Sequence, residues 1–267
     1  GEFVAKTWTK TFDTMNPQPI NALYTAEDMK AAMTNYFRKS YVSKFPLKFN
    51  SGMSLRTDDC VSVGEAQLGF VGRVLLNAFN QIEYGEQHKQ ADLVQMGQAI
   101  FDSYLQYGFT DNGYLREMVN FDREGLKIVD VHSIRQQSEA IYAILHYLNY
   151  EKKQGRTHKN WEIKIKTLLN NLIKLQKEDG HFARKFKDDG SDVDVSGGST
   201  PSATSTLVMG YKYFNDKTYL KAAKLTVNYV EKNIISKSDY FSSTLDANCE
   251  DKEAAIAAVT STYYLAM

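Results

Sequence analysis

Only two cysteines, Cys60 and Cys249, occur in the 267 residues. They are too few for a disulfide scaffold and lack metal-ligand spacing, and their separation leaves a pairing between them undecided. Charge of one sign is missing as well. Lys plus Arg and Asp plus Glu both total 32, a formal net charge of +0, which gives no electrostatic reason to expect nucleic acid or an anionic membrane as partner, and no run of basic residues announces a local patch. No stretch approaches the ~20 apolar residues of a membrane span, and no charged, apolar, then small segment opens the chain as a secretion signal would. The dinucleotide glycine fingerprint, the phosphate loop, the GxSxG elbow and the HExxH zinc motif are all missing. The turn Gly197-Gly198-Ser199-Thr200 matches a phosphate loop in composition only. No cofactor and no metal is therefore expected.

What is present is helical periodicity. The opening stretch to about Leu23 reads as irregular because Pro17 and Pro19 break any helix. Thr25 with Asp28 then marks a helix start. Two kinds of helix alternate from there. One begins in small polar residues and runs into an apolar stripe. Leu68, Val71, Leu75, Ala78, Phe79 and Ile82 follow Gly64-Glu65-Ala66; Ile141, Ile144, Leu145 and Leu148 follow Ser138-Glu139-Ala140. Leu207, Tyr211 and Phe214 follow Pro201-Ser202-Ala203, and a fourth helix begins near Lys252-Glu253-Ala254. Small early turns let helices approach closely, as an inner ring requires. The other kind is amphipathic, over 26–40, 88–107, 160–176 and 216–234, one face packed and one in water.

The connections are unequal. Long ones lead from amphipathic to inner helices and repeat a turn pair with an aromatic, as in Asn112-Gly113-Tyr114-Leu115-Arg116, Asp179-Gly180-His181-Phe182-Ala183-Arg184 and Ser238-Asp239-Tyr240-Phe241. Those in the other direction are short, such as Asn215-Asp216. Helical pairs that keep their form while loops on one rim vary are expected to close into a ring.

In the segments Leu175-Gln176-Lys177-Glu178-Asp179-Gly180-His181-Phe182, Gly198-Ser199-Thr200-Pro201-Ser202-Ala203 and Asp216-Lys217-Thr218-Tyr219-Leu220-Lys221-Ala222-Ala223, the chain resembles the six-hairpin glycosidase-like domains. Thr244 to Ala254 is similar to stretches of carbohydrate-active proteins from glycan-degrading bacteria. The resemblance covers about 25–267 as a style of repeat. It implies an all-α fold, an α/α-toroid of helical hairpins, with 1–24 as an irregular N-terminal segment and 25–267 as the toroid domain. Such a barrel needs twelve helices, and about eight are readable here. Gly1-Glu2-Phe3 reads as a cloning remnant, and the final run to Met267 stops without a capping signal. The expectation is an incomplete toroid of about four hairpins, truncated at its C-terminus, whose remaining hairpins come from missing chain. The resemblance also implies an oligosaccharide or polysaccharide partner and a periplasmic, cell-surface or secreted location.

In such toroids the substrate cleft lies at the N-termini of the inner helices, where free N–H groups and the positive dipole ends gather. Glu65, Glu139 and Glu253 read as first-turn glutamates of three inner helices, and Asp246, Glu250, Asp251 and Glu253 form the richest acidic cluster. Glycoside hydrolysis needs two carboxyl groups across the bond, so a catalytic pair is expected among Glu65, Glu139, Asp246 and Glu253. The alternative is that these acids merely cap helices and complement their dipoles. Sugar-binding candidates are the loop aromatics Tyr114, Phe182 and Tyr240, with Arg116 and Arg184 as carboxylate forks. His132, Arg135, Gln136, Thr200 and Glu250 complete the set, and Asp130 with His132 can act as a proton-transfer pair. The acidic loop Asp188, Asp189, Asp192 and Asp194 lacks the ordered spacing of a calcium loop. Three readings remain open: a glycoside hydrolase, a polysaccharide lyase with His132 or a tyrosine as base, and a non-catalytic glycan-binding or structural domain of a larger surface protein.

Overall fold

The structure is a computed structural model that describes residues 2–16, 23–51, 53–54, 61–62, 64–69, 73–120, 127–128, 131–241, 249–250 and 252–267. The chain divides into two compact units, Gly1–Tyr36 and Phe37–Met267.

The first unit corrects the expectation of an irregular start. Glu2–Met15 forms a helix, α1, with no buried residue. The prolines that argued against a helix come only after it, and nothing before Asn16 obstructs helical backbone. The second helix, α2 (Ala26–Ser40), begins where the sequence places it. Thr25 and Asp28 cap each other: the Thr25 N–H donates to Asp28 Oδ2 at 2.8 Å and the Asp28 N–H to Thr25 Oγ1 at 3.1 Å.

In the second unit helices alternate in role along the chain. The inner set is α3 (Val74–Gln87), α5 (Ile134–Lys153), α7 (Ser202–Phe214) and α9 (Lys252–Ala266), each packed on the next. The outer set is α4 (Ala91–Tyr107), α6 (Lys159–Leu175) and α8 (Lys217–Val230), which pack on α3, α5 and α7 respectively. One π-helical turn, Glu231–Ile235, extends α8. Outer helices show the expected one-sided stripe. In α6, Trp161, Ile165, Leu168, Leu169 and Leu172 are buried at i, i+4, i+7, i+8 and i+11. Inner helices are covered on more sides: α5 buries thirteen of its twenty residues, among them Gln136, Gln137 and Glu151. Close approach uses small residues. A Cβ on Gly97 of α4 would lie 2.5 Å from the Ala78 carbonyl oxygen of α3.

Short antiparallel strands line the long connections. β1 (Tyr41–Val42) pairs with β2 (Phe49–Asn50), and β3 (Met53–Ser54) with β4 (Val61–Ser62). β5 (Glu65–Gln67), β6 (Met118–Asn120) and β7 (Lys127–Ile128) form one three-stranded sheet in that order. The other, ordered β10-β9-β8, joins β8 (Val131–Ser133), β9 (Lys185–Lys187) and β10 (Asp192–Asp194). These sheets tie neighbouring loops together on the rim where the inner helices begin. The opposite rim has the short connections 88–90, 154–158 and 215–216. There Glu151 holds the second of these loops through Arg156 and His158, at 2.7 Å to the latter.

Two helix starts differ from the sequence reading. Gly64-Glu65-Ala66 does not open a helix: Glu65–Gln67 is β5, and α3 begins at Val74. Gly64 takes φ 66° and Arg73 φ 39°, left-handed conformations that interrupt helical backbone on both sides. α5 begins at Ile134, one turn before Ser138-Glu139-Ala140, so Glu139 sits in its second turn.

Candidate functional site

A cavity of about 360 Å³ opens among the beginnings of the four inner helices and runs down between them. It is at the small end of ligand pockets, roughly 300–1,000 Å³. α5 contributes Arg135, Ser138, Glu139 and Tyr142, a succession of i, i+3, i+4 and i+7 that puts all four on one face. α9 contributes Glu253, Ile256, Thr260 and Tyr264 on the same principle. Leu68, Arg73 and Leu76 close one side, and Pro201, Ser202 and Ser205 at the start of α7 close another.

At the centre lies one guanidinium between two carboxylates from different helices. Arg135 donates from Nε to Glu139 Oε1 at 2.9 Å and from a terminal nitrogen to Glu253 Oε2 at 2.6 Å. Burial works against the charge on Arg135, but Glu139 and Glu253 outweigh it and hold its pKa above the usual value. Arg73 approaches Glu139 Oε1 at 3.9 Å. Deeper down, the hydroxyls of Tyr142 and Tyr264 meet at 2.6 Å with their rings edge to face. The cavity thus joins acids, cations, hydroxyls and aromatic rings, a mixture that can bind a polyol by hydrogen bonds and stack on its apolar face.

No family model matches the sequence, and the search of curated proteins finds no match. The solved structures do. A protein from Salmonella enterica serovar Paratyphi A, described as a possible member of the GH105 family, aligns over 90% of this chain and 67% of its own, with TM-score 0.64 and 12% identity. Cellobiose 2-epimerase from Bacillus thermoamylovorans aligns over 77% of this chain and 53% of its own, with TM-score 0.57 and 15% identity. An unsaturated glucuronyl hydrolase from a Bacillus species, responsible for the degradation of glycosaminoglycan, aligns over 77% and 55%, with TM-score 0.56 and 14% identity. The fold is the α/α-toroid of these structures. The chain spans 53% to 67% of the length of these three toroids.

Of the residues singled out in the sequence, the toroid brings Arg135, Glu139 and Glu253 together in the cavity. Glu65 stands apart from them: on β5 it pairs in register with Asn120 and is not part of the cavity wall. Asp246 lies outside the described residues, as do Asp58, Asp59, Cys60 and Asp130. Cys249 is exposed with a free thiol.

The proposed stacking aromatics serve the rim itself. Phe182 is fully buried, and its N–H donates to Thr200 Oγ1 at 3.1 Å, which occupies the buried Thr200 away from the cavity. Tyr114 is buried against His132 and Phe186. Tyr240 is half-buried and donates its N–H to the exposed Glu250, at 3.2 Å from Oε2. The arginine forks are also placed elsewhere. Arg184 is buried and bound to Asp194, through Nε at 2.9 Å and a second, shorter bond. Arg116 is half-buried in the loop where its N–H meets the Gly108 carbonyl. Gln136 is buried beside Gly69, outside the cavity wall. The four aspartates of 188–194 separate likewise, Asp188 to His132, Asp189 to Ser191, Asp192 to Lys177 and Asp194 to Arg184. No group of metal-holding side chains occurs among the described residues.

His132 belongs to a second cluster, behind the rim. Its Nε2 lies 3.0 Å from Asp188 Oδ1 and its Nδ1 3.9 Å from Glu117 Oε1. Burial opposes ionisation of Asp188, but hydrogen bonds from Thr110, His132 and Asn112 hold it below the usual carboxylate range. Glu117 goes the other way: complete burial pushes it up to about 8, despite hydrogen bonds from Gln137 and the Ser133 N–H. Sequence reasoning missed Glu117, which carries no periodic or motif signal. It also missed Tyr142, Ser138, Thr260 and Tyr264. Those were reachable by stepping three and four residues along each helix from Arg135, Glu139 and Glu253.

Proposed function

We propose that residues 37–267 form a carbohydrate-active domain that binds sugar in the cavity between α3, α5, α7 and α9 and hydrolyses a glycosidic bond there. The observation that carries this reading is the meeting of Glu139 and Glu253, from two inner helices, over a floor of paired tyrosines at the helix N-terminal rim. The named activities of the neighbouring toroids, among them glucuronyl hydrolysis and cellobiose epimerisation, support a sugar as ligand.

Hydrolysis assigns each acid a role. Glu139 has Arg135 at 2.9 Å and Arg73 at 3.9 Å beside it; it acts as base or nucleophile. Glu253 supplies the proton to the leaving oxygen, and its bond to Arg135 opens when substrate enters. A location outside the cytoplasm, where polysaccharide is met, belongs to the same proposal.

The same guanidinium favours a second reading. Arg135 draws both carboxylates into one ion cluster, which suits a binding site in which neither acid is available for chemistry. Incubation with a panel of oligosaccharides, followed by mass spectrometry of the products, separates the two. Hydrolysis predicts product from the wild type and a loss of about 10²–10⁴-fold in Glu139→Gln and Glu253→Gln, with binding retained. Binding without product from any oligosaccharide selects the second reading.

A further inference from the structure

Two hydroxyls meet at the inner end of the cavity. Tyr142 follows Ser138 by one turn on the cavity face of α5, and Tyr264 comes from α9. Their oxygens are 2.6 Å apart, and the rings lie edge to face with centroids 6.0 Å apart. The Tyr142 ring also meets His146 edge to face, at 4.4 Å between centroids. Packing on two sides thus fixes where the Tyr142 hydroxyl sits. Burial and the bond to Tyr142 raise the pKa of Tyr264 above its usual value. Its hydroxyl therefore stays protonated and serves hydrogen bonding.

A tyrosine hydroxyl carries one hydrogen and acceptor lone pairs. Within the pair one hydroxyl gives its hydrogen to the other, which keeps its own. No other hydrogen bond reaches either oxygen among the described residues. One O–H and lone pairs on both oxygens are therefore uncommitted, on side chains that line the cavity. A single ligand hydroxyl can use both tyrosines, accepting the spare hydrogen from one and giving its own to the other. Ser138 adds an independent sign. It belongs to the same wall, is 1% exposed, and its Oγ has no hydrogen-bond partner. A buried hydroxyl in that state is costly, and a hydroxyl-bearing ligand relieves it.

Resting on the carbohydrate reading above, we propose that Tyr142 and Tyr264 determine specificity by reading one free hydroxyl of the bound sugar, so that the cavity discriminates against sugars lacking it. The size of the effect follows from the pairing. A site whose polar groups are left unpaired by the wrong ligand rejects it by about 10⁴–10⁵-fold. Here the two tyrosines satisfy each other when the hydroxyl is missing. Only the net worth of a neutral hydrogen bond is then at stake, about tenfold.

The test is calorimetric titration of the full chain with a panel of neutral and acidic disaccharides, then with the tightest binder lacking one hydroxyl at a time. One monodeoxy analogue is expected to bind about tenfold more weakly than its parent. The double substitution Tyr142→Phe with Tyr264→Phe removes both hydroxyls and should bring that analogue and its parent within about twofold. Either single substitution strands the remaining hydroxyl and should instead widen the ratio beyond that of the wild type. A pair that only braced α5 against α9 would weaken parent and analogue alike and leave the ratio unchanged. Melting curves establish that the variants are folded, and the single substitutions decide if the double one does not fold. Equal binding of every monodeoxy analogue, or a ratio unchanged in the variants, overturns the inference and leaves the carbohydrate reading standing. Absence of binding to every disaccharide overturns both.

Discussion

At the scale of single residues, the most unusual group is Glu117. Its carboxyl is fully buried and titrates near 8 because burial penalises the charged form. A group whose folded pKa lies above its unfolded one stabilises the fold fully below the unfolded value, near 4.5, and loses that contribution as pH rises toward 8. Chemical denaturation between pH 5 and 9 should therefore show stability falling by up to about 1.4 kcal/mol per pH unit from this source. Glu117→Gln, which keeps an acceptor for the Ser133 N–H, should flatten the slope; an unchanged slope would mean that another group carries it. Residue types alone did not reveal this. Glutamates were weighed in the sequence by nearness to a helix start, and that criterion put Glu65, Glu139 and Glu253 together. The fold assigns them a strand, a second turn and a first turn. A carboxylate's depth depends on what packs over it from distant parts of the chain, which local pattern does not encode.

Helices and loops were far more legible. Apolar periodicity located α5, α7, α9 and the outer helices to within about a turn, because burying a stripe is what decides where such helices form; the start of α3 it placed more than two turns early. The loop glycines were also readable. Gly113 and Gly180 adopt φ 85° and 100°, as their turn positions demand. The loop aromatics were seen, but their direction was not: a ring that follows a turn can face ligand or core, and Tyr114 and Phe182 face the core. Hairpin packing supplies a direct test. Gly97 lets α4 lie against α3, and any Cβ there would press on the Ala78 carbonyl at 2.5 Å and Ile82 Cγ1 at 2.6 Å. Gly97→Ala gains helix propensity of about 1 kcal/mol but must part the two helices, so a net loss of about 1–3 kcal/mol is expected. A thermal melt at or above that of the wild type would show that the pair can slide without cost.

At the scale of the whole molecule, the alternation of long and short connections made the ring-like architecture recognisable, whereas which loops would fold back onto one another was not. Sheet β10-β9-β8 joins segments some fifty residues apart, and no local signal announces such pairing. Arg135 also acts at this scale, because it binds α5 to the start of α9. Arg135→Met should leave two neighbouring carboxylates without their shared cation. A cost of about 2 kcal/mol is expected, less than for a fully buried pair because both acids reach water. Hydrogen exchange should quicken in α9 and stay unchanged in the α3–α4 pair; equal quickening in both would deny Arg135 this role.

The tie between Arg135 and Glu253 crosses 118 positions of sequence. Hairpins such as α3–α4 and α7–α8 join neighbours and can close as soon as both arms exist, while a contact of such long range has to wait. During synthesis, N-terminus first, Arg135 leaves the ribosome long before Glu253 has been made. Until then the guanidinium has Glu139 one turn away on its own helix, an ion pair that protects it while the chain lengthens. The cavity can thus form only once α9 has been made, and a chain stalled before α9 has the hairpins that precede it but no cavity.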